Sequence, residues 1–259
     1  MKENTVSITR AELIDDPDYL QERLKKLLKP LGGPGKYLNE GESLLLKPNL
    51  VSDRDYLSGA TTNPYLMVAL IEFFLPLNPS KIYIADGSAV GKDTKQVIKE
   101  INYPEIFSNY LEEGILEIKD FKEGPFKEKK IPGGRELKSL KVPEILENVD
   151  KVINLPVTKT HNSLPVTLGL KNMKGIIVED MKKEFHRRNL VQCILDLNKV
   201  ISTDLTIYDG TVGMEGLGPT FGDSANWRVL LASEDPVAGD LIAARGMGFE
   251  KSELDFVIR

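Results

Sequence analysis

Apolar and polar positions follow two rhythms along this chain. "TVSITR" (5–10) alternates every second residue and predicts a strand. "DPDYLQERLKKLLKPLGG" (16–33) spaces its apolar residues for a helix, between an acidic start and a Gly-Gly end. "ESLLLKPN" (42–49) is a short apolar run broken by proline, as in a strand buried on both faces. "NPYLMVALIEFFLPL" (63–77) opens with Asn-Pro, a suitable N-cap and first turn, and predicts a second helix. "KIYIAD" (81–86), "KVINLPV" (151–157), "DLTIYDG" (204–210) and "WRVLLAS" (227–233) read as further strands. "NLVQCILDLNKVI" (189–201) and "DPVAGDLIAARGMG" (235–248) read as helices.

Strands alternating with helices imply an α/β fold with a mostly parallel sheet flanked by helices. "PFKEKKIPGGRELKSLKVP" (125–143) departs from that order. Its Gly-Gly separates two polar, lysine-rich runs, which predicts an exposed antiparallel hairpin, a flap inserted into the α/β order. The length of 259 residues suits one α/β domain, or two closely packed lobes over about 1–150 and 151–259. "IADGSAVG" (84–91) and "IYDGTVG" (207–213) echo each other as a weak internal repeat. The final "FEKSELDFVIR" reads as a helix that stops uncapped, so the natural domain is expected to continue past Arg259.

In open α/β sheets, ligands lie beyond the carboxyl ends of the strands. Each predicted strand end here carries polar groups: Lys47-Pro48-Asn49, Asp86-Gly87-Ser88, Lys159-Thr160-His161, Asp209-Gly210-Thr211 and Ser233-Glu234-Asp235. Asp-Gly after a buried strand predicts a carboxylate at a sharp turn, facing the strand-end lysines across a cleft. Lys159, His161, Asp209 and Asp86 are the expected catalytic groups. Lys47, Asn49, Thr62, Lys171, Asn172 and Lys174 are the expected ligand-binding groups, joined by Gly216 and Gly218 of the glycine-rich "GMEGLGPTFGD" (213–223). His161 and His186 are weak candidates for a metal, since their spacing matches no compact zinc motif. A plainer alternative for "KNMKG" and the charged run 182–188 is that they are only solvated helix faces. No Walker loop or dinucleotide fingerprint is present, so ATP hydrolysis and a nicotinamide site are not expected.

Composition narrows the partners. The net charge of -5 argues against nucleic acid. No apolar run is long enough for a membrane span and the start lacks a signal peptide's apolar core, so a cytoplasmic protein is expected. A modest surplus of Lys and Glu hints at a thermophilic source. The single cysteine, Cys193, allows no disulfide and no thiolate cluster within one chain, and its apolar helical setting reads as a buried structural thiol.

"LLLKPNLV", "TTNP", "IYIADGS", "VINLPVTKTHNSLPVTLGLKNMKG", "FHRRNLVQCILDL", "LTIYDGTVGMEGLGP" and "LLASEDPVAGDLIAARGMG" together resemble the family called domain of unknown function 362. The stretch from Lys159 to Gly175 carries the likeness most specifically. Members of that family are often fused to iron–sulfur domains. If the family's site works with electrons, the resemblance implies that a member without cluster cysteines takes them from a separate iron–sulfur protein. More distantly, Lys159 and His161 invite comparison with lactate-racemase-type enzymes, which hold a nickel-pincer nucleotide with a lysine and histidines. Two functions stand open: an enzyme acting on a small anionic substrate or phosphate-bearing cofactor, and a non-catalytic cofactor-binding or electron-transfer module that uses the flap and the glycine loop as contact surfaces. Neither the substrate nor the cofactor is named by the residues.

Overall fold

The computed structural model describes residues 4–254. β1 (Val6–Arg10), α1 (Pro17–Leu28), β2 (Ser43–Lys47), α2 (Pro64–Phe74) and β3 (Lys81–Asp86) follow the order the pattern predicts. Local chemistry sets the helix starts. The Asp16 carboxylate accepts from Tyr19 N, the Asn63 side chain accepts from Tyr65 N, and each helix has proline in its first turn.

Residues 87–124, where the pattern predicts no element, hold three short helices and a strand: α3 (Thr94–Glu100), α4 (Tyr103–Ile106), α5 (Ser108–Glu112) and β4 (Leu116–Asp120). The flap comes next, as β5 (Phe126–Lys130) paired antiparallel with β6 (Ser139–Pro143). It is not exposed throughout, because Ile131, Leu137, Leu140 and Val142 are buried against the body. Its tip is pinned by Asp196, whose Oδ2 accepts from the backbone N–H groups of Arg135, Glu136 and Leu137 at 2.9, 2.8 and 3.0 Å. Burial opposes the Asp196 charge, but these N–H groups outweigh it and hold the carboxyl well below its ordinary pKa.

The second half contributes α6 (Ile145–Asn148), β7 (Lys151–Asn154), β8 (Val157–Thr160), β9 (Val166–Thr167), α7 (Gly169–Asn172), α8 (Glu179–Arg187), α9 (Leu190–Asn198), β10 (Leu205–Glu215), β11 (Asp223–Ala225), β12 (Val229–Ser233) and α10 (Pro236–Gly246). The main sheet runs in the order β1-β12-β10-β7-β2-β3-β4, so three strands of the second half lie between β1 and β2 of the first. β12 lies antiparallel to both β1 and β10, while β10, β7, β2, β3 and β4 are mutually parallel. Side chains alternate across the sheet. Leu44, Leu46, Ile153 and Ile207 join Leu24 and Leu70 of α1 and α2 on one face. Leu45, Val152 and Tyr208 join Phe185, Cys193 and Leu197 of α8 and α9 on the other. Each such leucine contributes roughly 1.5–3 kcal/mol by leaving water.

Three sequence expectations change here. Because β12 runs antiparallel, Ser233 pairs with Thr206 at the start of β10, so Ser233-Glu234-Asp235 lies at the opposite edge from the other strand ends. β7 ends at Asn154 and a separate strand, β8, carries Lys159. Lys159 is therefore paired with Thr167 inside a strand and not delivered by a loop. β10 runs on to Glu215, so Asp209-Gly210 is no turn. A Cβ on Gly210 would lie 2.6 Å from both the Trp227 ring and the Val229 carbonyl oxygen, so this glycine serves close approach within a strand. The uncapped ending was read over 249–259, and its last residues, 255–259, lie outside the described residues.

Candidate functional site

A cavity of about 380 Å³ opens where the chain leaves β2 and β3, against β8, β9 and the segment from α7 to α8. Its base is organised by Asp86. One oxygen accepts from the ammonium of the fully buried Lys47 at 2.7 Å and the other accepts from Leu50 N at 2.7 Å. The carboxylate of the site is thus already occupied by protein. Lys47 also donates to the Pro48 carbonyl at 2.8 Å. Gly175 makes this packing possible, since a Cβ there would lie 1.9 Å from Asp86 Oδ1 and 2.8 Å from Lys47 Nζ.

A row of amides ties the walls together. Asn49 donates to Asn172 (2.8 Å), Asn172 donates to Asn154 (2.8 Å), and Asn154 donates to the Gly169 carbonyl (3.0 Å). Lys159 is fully buried and donates to Asn49 Oδ1 at 3.0 Å and to the Ala60 carbonyl at 2.5 Å. From behind, Asp240 of α10 accepts from Gly169 N, Leu170 N and the Tyr208 hydroxyl at 2.7, 3.1 and 2.7 Å, which seats the short helix carrying Lys171 and Asn172. Burial pushes the Asp240 carboxyl up to about 7.

The electrostatics are one-sided. Lys159, Lys171, Lys174 and Lys182 line the cavity, and Asp86 is the one carboxylate among its lining residues. Burial is the largest cause in each case: Lys171 falls to about 7, with repulsion from Lys174 adding to it, Lys174 to about 8, and Lys182 to about 7, where Asp86 opposes the shift and neighbouring lysines add to it. Lys159 is driven well below its ordinary value by burial and then by Lys171. His161 falls to about 3 through burial and the lysines around it, so its ring is neutral at physiological pH. His161 Nδ1 accepts from Ser163 N at 2.9 Å, which leaves the ring proton on Nε2. Lys174 lies 2.8 Å from His186 Nε2. Lys182 donates to the Gly87 and Ser88 carbonyls at 2.6 and 3.0 Å. Among the described residues, the half-buried Lys171 ammonium has no hydrogen-bond partner.

Of the residues singled out in the sequence, Asn49, Asp86, Lys159, His161, Lys171, Asn172, Lys174 and His186 line this one cavity. Lys47 stands behind it through Asp86. Thr62 is buried away from it, donating to the Leu155 carbonyl and accepting from Asn49 N. Asp209 does not reach the cavity: it accepts from Asn63 N, Thr211 N and the Thr211 hydroxyl at 2.8, 3.0 and 2.6 Å. Gly216 and Gly218 belong to the β10–β11 hairpin, which reaches the rim through Pro219. Lys182, which the sequence reading left out of the site, is 3% exposed. The spacing Val178–Lys182–Phe185 carries the missed signal, because it sets Lys182 on the stripe that buries Phe185. Among the described residues, no group of three or more His, Cys, Asp or Glu side chains could hold a metal.

The family model described as "Domain of unknown function (DUF362)" matches residues 44–245. The chain belongs to this family. A thylakoid-associated protein of Synechocystis sp. is 28% identical over 244 residues, covering 92% of this chain and 73% of its own. Two solved structures are similar. The lactate racemase apoprotein of Thermoanaerobacterium thermosaccharolyticum has a TM-score of 0.54 at 10% identity, with 92% of this chain and 56% of that chain covered. A protein from Thermotoga maritima has a TM-score of 0.47 at 14% identity, with 89% and 57% covered. This chain therefore spans little more than half the length of either solved protein. The racemase likeness shows a shared α/β fold. No described helix is long and apolar enough to cross a membrane.

Proposed function

We propose that this DUF362 member is an enzyme that takes a small anionic substrate, or a phosphate-bearing cofactor, into the cavity beside Asp86 and Lys159. The observation that carries the reading is the imbalance of the lining: four lysines against one carboxylate whose oxygens Lys47 and Leu50 N already fill. Burying unpaired ammonium groups is costly, and an anion offsets that cost for several at once. Lys171, Lys174 and Lys182, poised near neutrality, are suited to exchange protons with a bound molecule. Lys159 stands beside it, fixed by its hydrogen bonds to Asn49 and the Ala60 carbonyl, and the neutral His161 offers an Nε2 proton. Asp86 acts by positioning Lys47, and Asp209 is assigned to the fold. The setting we propose is the cytoplasm, without nucleic acid or membrane as partner.

The racemase likeness raises a nickel-pincer nucleotide. Of the two histidines, His161 has Nδ1 engaged by Ser163 N and His186 faces Lys174 through Nε2, and the steps above are assigned to the lysines. A second reading is a carrier that contacts a separate iron–sulfur protein through the exposed lysines of the flap, favoured by a chain with one, buried cysteine. Native mass spectrometry of the purified protein tests both readings. A retained anion that Lys171→Met removes supports the cavity. Alanine at Lys159 and His161 that leaves ligand binding and turnover intact sinks the enzyme reading.

A further inference from the structure

The class of ligand can be read from groups that the protein leaves without partners. Among the described residues, Ser88 Oγ and Thr167 Oγ1 are buried hydroxyls without a hydrogen bond, and both residues line the cavity. Ser88 is 0% and Thr167 2% exposed. Their backbones are fixed. Ser88 N donates to the Thr94 hydroxyl at 3.1 Å and its carbonyl accepts from Lys182, while Thr167 stands opposite Lys159 in the β8–β9 pair. Buried hydroxyls are normally satisfied, so two orphans lining one cavity point to a partner supplied from outside.

We propose that the cavity holds a phosphorylated small molecule, with phosphoryl oxygens accepting from Ser88 and Thr167 and paired with the ammonium groups of Lys171 and Lys182. This deepens the anionic-ligand reading and rests on it. Two features favour phosphoryl over carboxylate. Lysines and hydroxyls are point donors that suit a tetrahedral group approached from several sides. A phosphoryl group also carries about -1.5 to -2 charge and three acceptor oxygens, against a single charge and two oxygens. Lys171 has all its donors left for such a group, and Lys182 has one of three beyond the two given to Gly87 and Ser88.

Calorimetric titration of the full chain with inorganic pyrophosphate and with citrate, at matched ionic strength, separates the outcomes. Pyrophosphate is expected to bind at least roughly tenfold tighter than citrate. Ser88→Ala and Thr167→Val should each weaken pyrophosphate by roughly tenfold and leave citrate nearly unchanged. Thr167→Ser keeps the hydroxyl and should bind as the parent does. Equal affinity for citrate, or pyrophosphate binding indifferent to both hydroxyl deletions, overturns the phosphoryl assignment while the anionic cavity stands. A Thr167→Ser loss as large as that of Thr167→Val also overturns it. Binding of neither probe overturns the anionic reading itself.

Discussion

Two stretches of this protein look alike in sequence and part company in the fold. "IYIADGS" and "LTIYDGT" each run from apolar residues into Asp-Gly and a hydroxyl. In the first, the strand stops at Asp86 and the chain turns away, so Gly87 and Ser88 become a wall of the cavity. In the second, β10 continues for six residues beyond Asp209, because β8 and β11 go on pairing with it. Asp86 holds a buried cation beside a ligand site. Asp209 holds backbone N–H and hydroxyl groups and braces the start of α2 through Asn63. Whether an Asp-Gly pair ends a strand or lies within one depends on the neighbouring strands still available for pairing.

The sharpest break in this comparison comes from neutralising each carboxylate. Asp86→Asn leaves the Lys47 ammonium buried without its counter-charge and is expected to cost about 3–5 kcal/mol in chemical denaturation. Adding Lys47→Met should recover most of it, since a hydrophobic replacement removes the unpaired charge. Asp209→Asn loses part of its acceptor set and is expected to cost less, about 1–3 kcal/mol, with anion affinity unchanged. If anion binding collapses in Asp209→Asn while the protein stays folded, the division between the two aspartates is wrong.

Gly175→Ala comes next. Its methyl group must displace the Asp86–Lys47 pair, and about 1–3 kcal/mol of destabilisation is expected, with weaker anion binding in the same titration. The mildest test uses pH. Lys171, Lys174 and Lys182 sit at about 7, 8 and 7 in the folded chain, below the unfolded lysine value of about 10.4. Between those limits the unfolded chain binds more protons, so the stability of the ligand-free protein should rise as pH rises from about 7 towards 10. Anion affinity should move the other way, falling through the same window as the lysines lose their charge. Thermal melts and titrations at pH 6.5 and 9 measure both slopes. Parallel slopes would show that these lysines do not meet the ligand.

Much of the scaffold is legible in the chain itself. The strands and helices of residues 5–86 arise from periodicity, caps and prolines, because those are local effects that act before distant contacts form. Segment 87–124 was not legible. Its helices are short, and β4 earns its place only by pairing with β3. Lys159, His161, Lys171, Asn172 and Lys174 were recognisable as a concentration of chemistry in one stretch. Ser88 stood at a named strand end, but Lys182 and Thr167 were not recognisable, since a lysine in a charged run and a lone hydroxyl look like surface until burial is known.

The sequence by itself determined the α/β class, the polar strand ends and an unusual density of cations between Asn154 and Gly175. Tertiary structure alone decided that β12 runs antiparallel and turns its end away, that Asp209 serves the fold, and that Lys182 joins the cavity. The reason is physical. Element type depends on residues within a turn or two of one another, whereas burial and electrostatic partnership depend on distances between strands far apart in the chain. Lys47 and Asp86 are separated by 39 residues, and Asn49 and Asn172 by 123. Only the packed sheet brings them within a hydrogen bond.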